Sequence, residues 1–182
     1  MADEAYLREV TIGEPKRLDG PVVLSPYDAS WPVRYELLAQ RVRNALGSSV
    51  IFLEHVGSTS VPGLSAKPVI DMVLAVSDST DEEAYVPPLA SQGFQLRIRE
   101  PGWFEHRLLH HTDIAANLHV FSAGCDEIDR MIAFRDRLRS HDEDRRRYER
   151  AKRELSVRHW KYLQDYADAK SEIVRGILRK VS

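Results

Sequence analysis

Two apolar runs, SVIFLEHV at 49–56 and PVIDMVLAV at 68–76, flank a stretch of small and turn-forming residues, GSTSVPGLSAK at 57–67. The first run is rich in β-formers and reads as a strand. The second is apolar on both faces, as expected of a strand covered on both sides. Three further runs, FQLRIRE at 94–100, WFEHRLLHH at 103–111 and IAANLHVF at 114–121, are strand candidates. PVVLSPYD at 21–28 reads as a short strand and a turn. Ser30 ahead of Trp31-Pro32 is a good N-cap followed by proline in the first turn, and the helix it opens runs to about Leu46 with Gly47 closing it. Thr80 with Glu83 predicts a capping box for a helix ending near Gly93. Beyond about Asp126 the pattern is helical, in three helices, with a break and a second capping box at Ser140 and Glu143. These elements predict an α+β fold: a mixed sheet of about five strands, helices on one side and a helical C-terminal part.

One residue breaks the pattern. Asp71 stands inside the second apolar run, and a buried charge needs a partner, a hydrogen bond or a metal. The loop before it offers Gly57 for close backbone approach, with Ser58, Thr59 and Ser60 supplying hydroxyls and amides to phosphate oxygens. Lys67 adds a positive charge before the second strand. The arrangement reads as a phosphate cradle beside a metal-ligating carboxylate, or equally as a polar turn whose aspartate bonds nearby amides. It is not a P-loop, since GxxxxGK[ST] is absent.

Alternation places Asn117 and His119 on one strand face, with Glu105, Arg107 and Asp71 expected on the same polar side of the sheet. His119 offers a general base, a metal ligand or a phosphate contact. His55, just ahead of the loop, carries the same three readings. Arg135 and Arg139 project from the apolar face of the first C-terminal helix, and Lys152 from the next. Three inward cations suggest a phosphate or carboxylate pocket, or salt bridges to neighbouring acids. Asp144 to Arg147 read as a solvated face.

Bulk properties narrow the classes. The 182 residues suffice for one domain with a sizeable core, and residues 1–20 read as a flexible N-terminal arm ahead of a domain at 21–182. A net charge of −2 gives no global field for nucleic acid or membrane. Cys125 is the sole cysteine, so no intramolecular disulfide forms. No apolar run reaches the roughly 20 residues of a bilayer span, and the expected location is the cytoplasm.

The stretch EHVGSTSVPGLSAKPVIDMVLAV resembles the signature of the GrpB family, and the resemblance continues through NLHVF, FRDRLR, Tyr148-x-x-x-Lys152 and the region of Tyr166 to Lys170. It implies the nucleotidyltransferase fold of the DNA polymerase β superfamily. That pattern has Gly-Ser, about a dozen residues, then Asp-x-Asp in a strand. Here Gly57-Ser58 and Asp71 match, and Val73 stands where the second acid belongs. Two-metal phosphoryl transfer needs several oxygen ligands, which Glu54 or Glu105 would have to complete. The resemblance implies a protein that binds a nucleotide or other phosphorylated small molecule, with magnesium on Asp71 and nucleotidyl transfer aided by His119. The alternatives are a non-catalytic binding or interaction module, which Val73 favours, and a ligase using the same pocket. Since some relatives are fused to dephospho-coenzyme A kinase, a protein partner is a further expectation.

Overall fold

The computed structural model describes residues 3–180. The two ends of the expected arm and domain, residues 1–2 and 181–182, lie outside the described residues. The elements in chain order are α1 (Glu4–Val10), β1 (Arg17–Gly20), α2 (Ser30–Leu46), β2 (Phe52–Val56), β3 (Ile70–Val76), α3 (Val86–Ala90) and β4 (Phe94–Glu100). There follow β5 (His106–His111), β6 (Ala116–Ser122), α4 (Asp126–Ser140), α5 (Asp142–Ser156), β7 (Trp160–Tyr162), α6 (Leu163–Ala169) and α7 (Ser171–Leu178).

The main sheet has five strands in the order β2-β3-β6-β5-β4. β3 and β6 run parallel, and every other neighbouring pair is antiparallel. The expected mixed sheet is therefore present, with β3 at its interior. That position explains the unbroken apolar run: Ile70, Met72 and Leu74 pack on one face against Trp31, Leu38 and Val42 of α2. On the other face Val73, Ala75 and Phe121 meet Ile128 of α4. Because α4 covers only part of this second face, the end of the sheet bearing Asp71 stays open to the cavity described below.

Several local expectations give way to stronger competitors. Ser30 does not cap α2; Asp28 Oδ1 takes the Ser30 amide at 2.7 Å, because a carboxylate two residues upstream closes the tighter turn. Thr80 takes no part in a capping box. Its amide goes to Asp78 Oδ1, and Pro87 and Pro88 confine the following helix to Val86–Ala90. Ser140 returns its hydroxyl to Asp136 O instead of capping α5. Residues 21–28 contribute only an isolated bridge from Ser25 to Ala66. Among the described residues the C-terminal part holds four helices and the short strand β7. Asp144, read as solvated, is buried and accepts Arg137 Nε and Lys180 Nζ, both at 2.7 Å, tying the C-terminal helices together.

The stretch read as an arm is built into the fold. α1 buries Leu7 and Val10, Thr11 bridges to Ile98 at the β4 edge, and β1 pairs antiparallel with β7. No helix among the described residues is long and apolar enough to cross a membrane.

Candidate functional site

Gly57 answers why the loop is built of small residues. Val56 lies opposite Asp71 in the β2–β3 register, so the chain leaving β2 turns directly over that carboxylate. Gly57 adopts φ 69°, and a Cβ there would lie 2.5 Å from Asp71 Oδ2. Any other residue would meet both backbone strain and a carboxylate. The next three residues form a single 3₁₀ turn, Ser58–Ser60.

Asp71 sits at the start of β3 with Asn117 beside it on β6, and Asn117 Nδ2 donates to its Oδ1 at 2.7 Å. Burial pushes the Asp71 carboxyl upward, against the pull of Asn117, Lys67 and Lys170. It opens onto a cavity of about 770 Å³ bounded by the sheet, the N-terminal segment and the α5–α6 region. The charged lining is mostly basic: Lys67, Lys152 and Lys170 inside, and Lys16 and Arg97 exposed, against Asp71 and Glu14. Tyr162 and Tyr166 supply aromatic wall.

The three inner lysines are held in costly surroundings. Burial lowers the Lys67 and Lys170 ammoniums, with Asp71 opposing. Among the described residues neither makes a hydrogen bond or ion pair, although Lys170 Nζ lies 4.6 Å from the Tyr166 ring centroid. Lys152 donates to Ser65 O and lies over the Tyr148 ring. Burial, with Lys170 nearby, pushes it down to about 7. His110 is depressed by burial and by Arg97, Lys16 and Lys67, as a positive field requires.

A lowered folded-state lysine pKa means the unfolded chain binds more protons between about 7 and the ordinary 10.5, so this group adds stability as pH rises across that window. Lys152→Met removes the dependence. Its melting temperature relative to wild type is expected to be most favourable at pH 6 and to decline steadily towards pH 10. A difference independent of pH would show that Lys152 keeps its ordinary ionisation.

Not every expected residue reaches this cavity. Ser58, Thr59, Lys67, Asp71, His119 and Lys152 line it. Thr59 is nonetheless occupied, donating to Val69 O at 3.1 Å and lying 3.0 Å from His55 Nε2, while Ser60 Oγ donates to Gly57 O. Burial pushes the Tyr148 hydroxyl up, and Ser58 opposes that shift. His55 shares the opposite sheet face with Met72, stacked on Tyr35 at 4.8 Å, and burial pushes it down to about 4. It is a core histidine bracing the loop.

Arg135 and Arg139 line no part of the cavity. Arg135 is buried against Glu54 Oε2 at 2.8 Å, Asp136 at 2.8 Å and His55 O at 3.0 Å. Arg139 donates twice to Ser60 O. Both hold the loop from behind instead of offering charge to a ligand. Glu105 and Arg107 also leave the expected face: Leu108 opposes His119, so Arg107 shares the other face with Val120 and bonds Glu82. The residues that do join Asn117 and His119 are His106 and His110, while Lys170 arrives from the C-terminal helices.

Magnesium takes hard oxygen ligands in a near-octahedral array, usually one or two carboxylates completed by waters and ligand phosphates, and Asp71 is the carboxylate the sheet brings to the cavity. Oδ1 accepts the Asn117 amide, the chain turns over the carboxylate at Gly57, and Val73 is apolar. Glu54 and Glu105, the acids that might have completed a site, pair with Arg135 and Arg107. Among the described residues no three His, Cys, Asp or Glu side chains converge as a metal centre.

These features define an α+β protein carrying a lysine-lined cavity on one face of a mixed sheet. The chain belongs to the GrpB family, whose model, described as GrpB protein, matches residues 21–180. It is 52% identical to a UPF0157 protein of Halalkalibacterium halodurans over 176 residues, 97% of this chain and 90% of that one. A UPF0157 protein of Streptomyces coelicolor is 43% identical over 166 residues, 91% of this chain and 86% of the relative. The crystal structure of the conserved protein GrpB from Enterococcus faecalis superposes with a TM-score of 0.75 at 26% identity, covering 87% of this chain and 98% of that one.

Proposed function

We propose that the protein binds a nucleotide or another phosphorylated small molecule in this cavity, with lysines in the place a metal ion would take. The observation that carries the reading is the pair Lys67 and Lys170. Two ammoniums lie in the wall of one cavity, partly desolvated, with no hydrogen bond or ion pair among the described residues. Buried cations without acceptors are costly, and an anion removes the cost. Lys152 adds a third donor. The volume suits a ligand of nucleotide size. Tyr162 and Tyr166 give its uncharged part a surface to pack on, and Asp71 with Asn117 accepts or donates to its hydroxyls.

The reading covers a nucleotidyltransferase acting without magnesium and, equally, a module that only binds. Val73 in place of a second acid favours the latter against a two-metal enzyme. Calorimetric titration with pyrophosphate, nucleoside triphosphates and sugar phosphates, with and without magnesium, tests it. Saturable binding that needs no magnesium and weakens with salt is expected. Lys67→Ala and Lys170→Ala should each reduce affinity about three- to tenfold, roughly 0.7–1.4 kcal/mol. No binding of any phosphorylated probe at millimolar concentration would overturn the proposal.

A further inference from the structure

A second constellation opens into the same cavity and reaches well beyond the lysines. His119 Nδ1 lies 3.0 Å from His106 Nε2, and the rings stack at 5.1 Å with 23° between their planes. His106 Nδ1 lies 2.7 Å from Glu100 Oε2, and the other oxygen of Glu100 takes the Tyr6 hydroxyl at 2.8 Å. The β5 strand start, the β4 end and α1 thus hold a continuous chain from Glu100 through His106 to His119. Its far end is open: His119 lines the cavity with Asp71, and its Nε2 has no hydrogen bond among the described residues. Trp103 and Phe121 close the sides of His106 at 4.8 Å each, keeping water from its ring.

We propose that Glu100, His106 and His119 form a proton relay that makes His119 a base towards an O–H nucleophile in the cavity. The hydrogen bonds allow two proton arrangements. In the first, His106 is neutral; its Nδ1–H goes to Glu100, its Nε2 accepts from His119 Nδ1–H, and His119 Nε2 is bare. In the second, His106 carries both protons, its Nε2–H goes to His119 Nδ1, and His119 Nε2 bears the proton. Conversion of the first to the second is one proton taken in at His119 Nε2 and one passed on from Nδ1 to His106. His119 is never doubly protonated. That resolves an apparent conflict: burial, with His106 and His110 adding, pushes the His119 imidazole down to about 3, too weak a base alone. Through the relay the positive charge comes to rest on His106, beside Glu100, whose carboxyl stays below its usual range because the His106 and Tyr6 hydrogen bonds outweigh burial.

The step balances with the ligand proposed above. The nucleophile's O–H proton goes to His119 Nε2 as its oxygen bonds to phosphorus. The ester oxygen leaves with the P–O electron pair and takes a proton back from Nε2–H, which restores the first arrangement. His110 on β5, Asp71 on β3, Lys67 ahead of β3, Lys152 of α5 and Lys170 between α6 and α7 are the charged or titratable groups that line the cavity with His119. None lies within hydrogen-bonding distance of its ring in this structure. His119 is the catalytic residue; His106 and Glu100 are positioning residues that hold its ring and take up the charge.

Nitrogen-15 spectra of histidine side chains test the relay without any ligand. As pH falls from 9 to 5 the pair is expected to take up one proton, while His119 stays singly protonated and its N–H moves from Nδ1 to Nε2. Glu100→Gln removes the counter-charge and should lower the apparent pKa of that step by about one unit or more. A histidine pair with a purely structural bond would keep one tautomer throughout, and that result overturns the relay. The base is read separately. With a phosphorylated compound that saturates the cavity, His119→Gln should leave affinity within about threefold while release of phosphate, followed by phosphorus NMR, falls about a hundredfold or more. Bound ligand with no turnover in wild type, or turnover indifferent to His119→Gln, overturns the base assignment. Failure of every phosphorylated compound to bind would instead strike the ligand reading, on which this second arm rests, and would remove the base assignment with it; the tautomer result stands apart from both.

Discussion

Arg135→Ala is expected to lower stability by about 2–3 kcal/mol and to leave phosphate affinity unchanged. The guanidinium is buried at 7% exposure and makes charged hydrogen bonds to Glu54 and Asp136 and a third bond to the His55 carbonyl. Bonds of this kind contribute about 1.5–3 kcal/mol, and their loss leaves a buried carbonyl without a donor. Glu54 is 43% exposed and recovers water, which keeps the penalty below that of a fully buried pair. Because the His55 carbonyl immediately precedes Val56 and Gly57, the variant should also loosen the loop over Asp71, visible as faster amide exchange at 57–60. Chemical denaturation and calorimetry on the same sample decide the matter. Weakened binding with undiminished stability would return Arg135 to the ligand site.

That expectation reverses what the helix pattern suggests, and the reason is instructive. Periodicity correctly turns Arg135 inward, but it says nothing about what waits there. The partner is Glu54 on β2, far away in sequence. Inward cations and nearby acids look alike in a one-dimensional pattern, whether they meet each other or a ligand. The five strands of the main sheet, α2 and the Gly57 turn were legible because burial acts on each through local periodicity or backbone geometry, whereas β1 and β7 were not read. The helix caps were not, since Asp28 and Asp78 compete with Ser30 and Thr80 over distances of two residues.

The histidine relay was hidden by a parity error of the same origin. The run at 103–111 looks like one strand, yet Phe104 and Glu105 adopt positive φ of 54° and 51°, and the strand starts only at His106. The register that pairs Leu108 with His119 then brings His106 and His110 to the cavity face and sends Arg107 to the other. Lys170 was unreadable for another reason. It stands at the junction between α6 and α7, where no periodicity marks it as inward, and only its place in the family resemblance pointed to it.

Asp71→Asn is expected to strengthen binding of inorganic pyrophosphate, by about tenfold or more at pH 8, with or without magnesium. The amide keeps the shape beneath Gly57, and its oxygen still accepts the Asn117 Nδ2 bond. What it removes is one negative charge from a cavity in which Lys67 and Lys170 have no hydrogen bond or ion pair among the described residues. Two unit charges about 8 Å apart at an effective permittivity of 20 repel by about 2 kcal/mol, enough for roughly a thirtyfold change before screening. Burial already opposes ionisation of this carboxyl, so the same change should raise thermal stability at alkaline pH more than at acidic pH. The sign follows from the raised folded-state pKa: the native protein holds its proton longer than the unfolded chain, and stability drains away as pH climbs through the unfolded and then the folded value. Pyrophosphate is the proper probe because it has no ribose hydroxyl to lose an acceptor at Asp71, which leaves charge as the difference measured. A magnesium site makes the opposite forecast. There the carboxylate is the metal's anchor, so Asp71→Asn would abolish magnesium-dependent binding and could not tighten it. Calorimetric titration of both proteins in magnesium and in chelator separates the two, and tightening in chelator is the outcome that a lysine-lined, metal-free anion site requires.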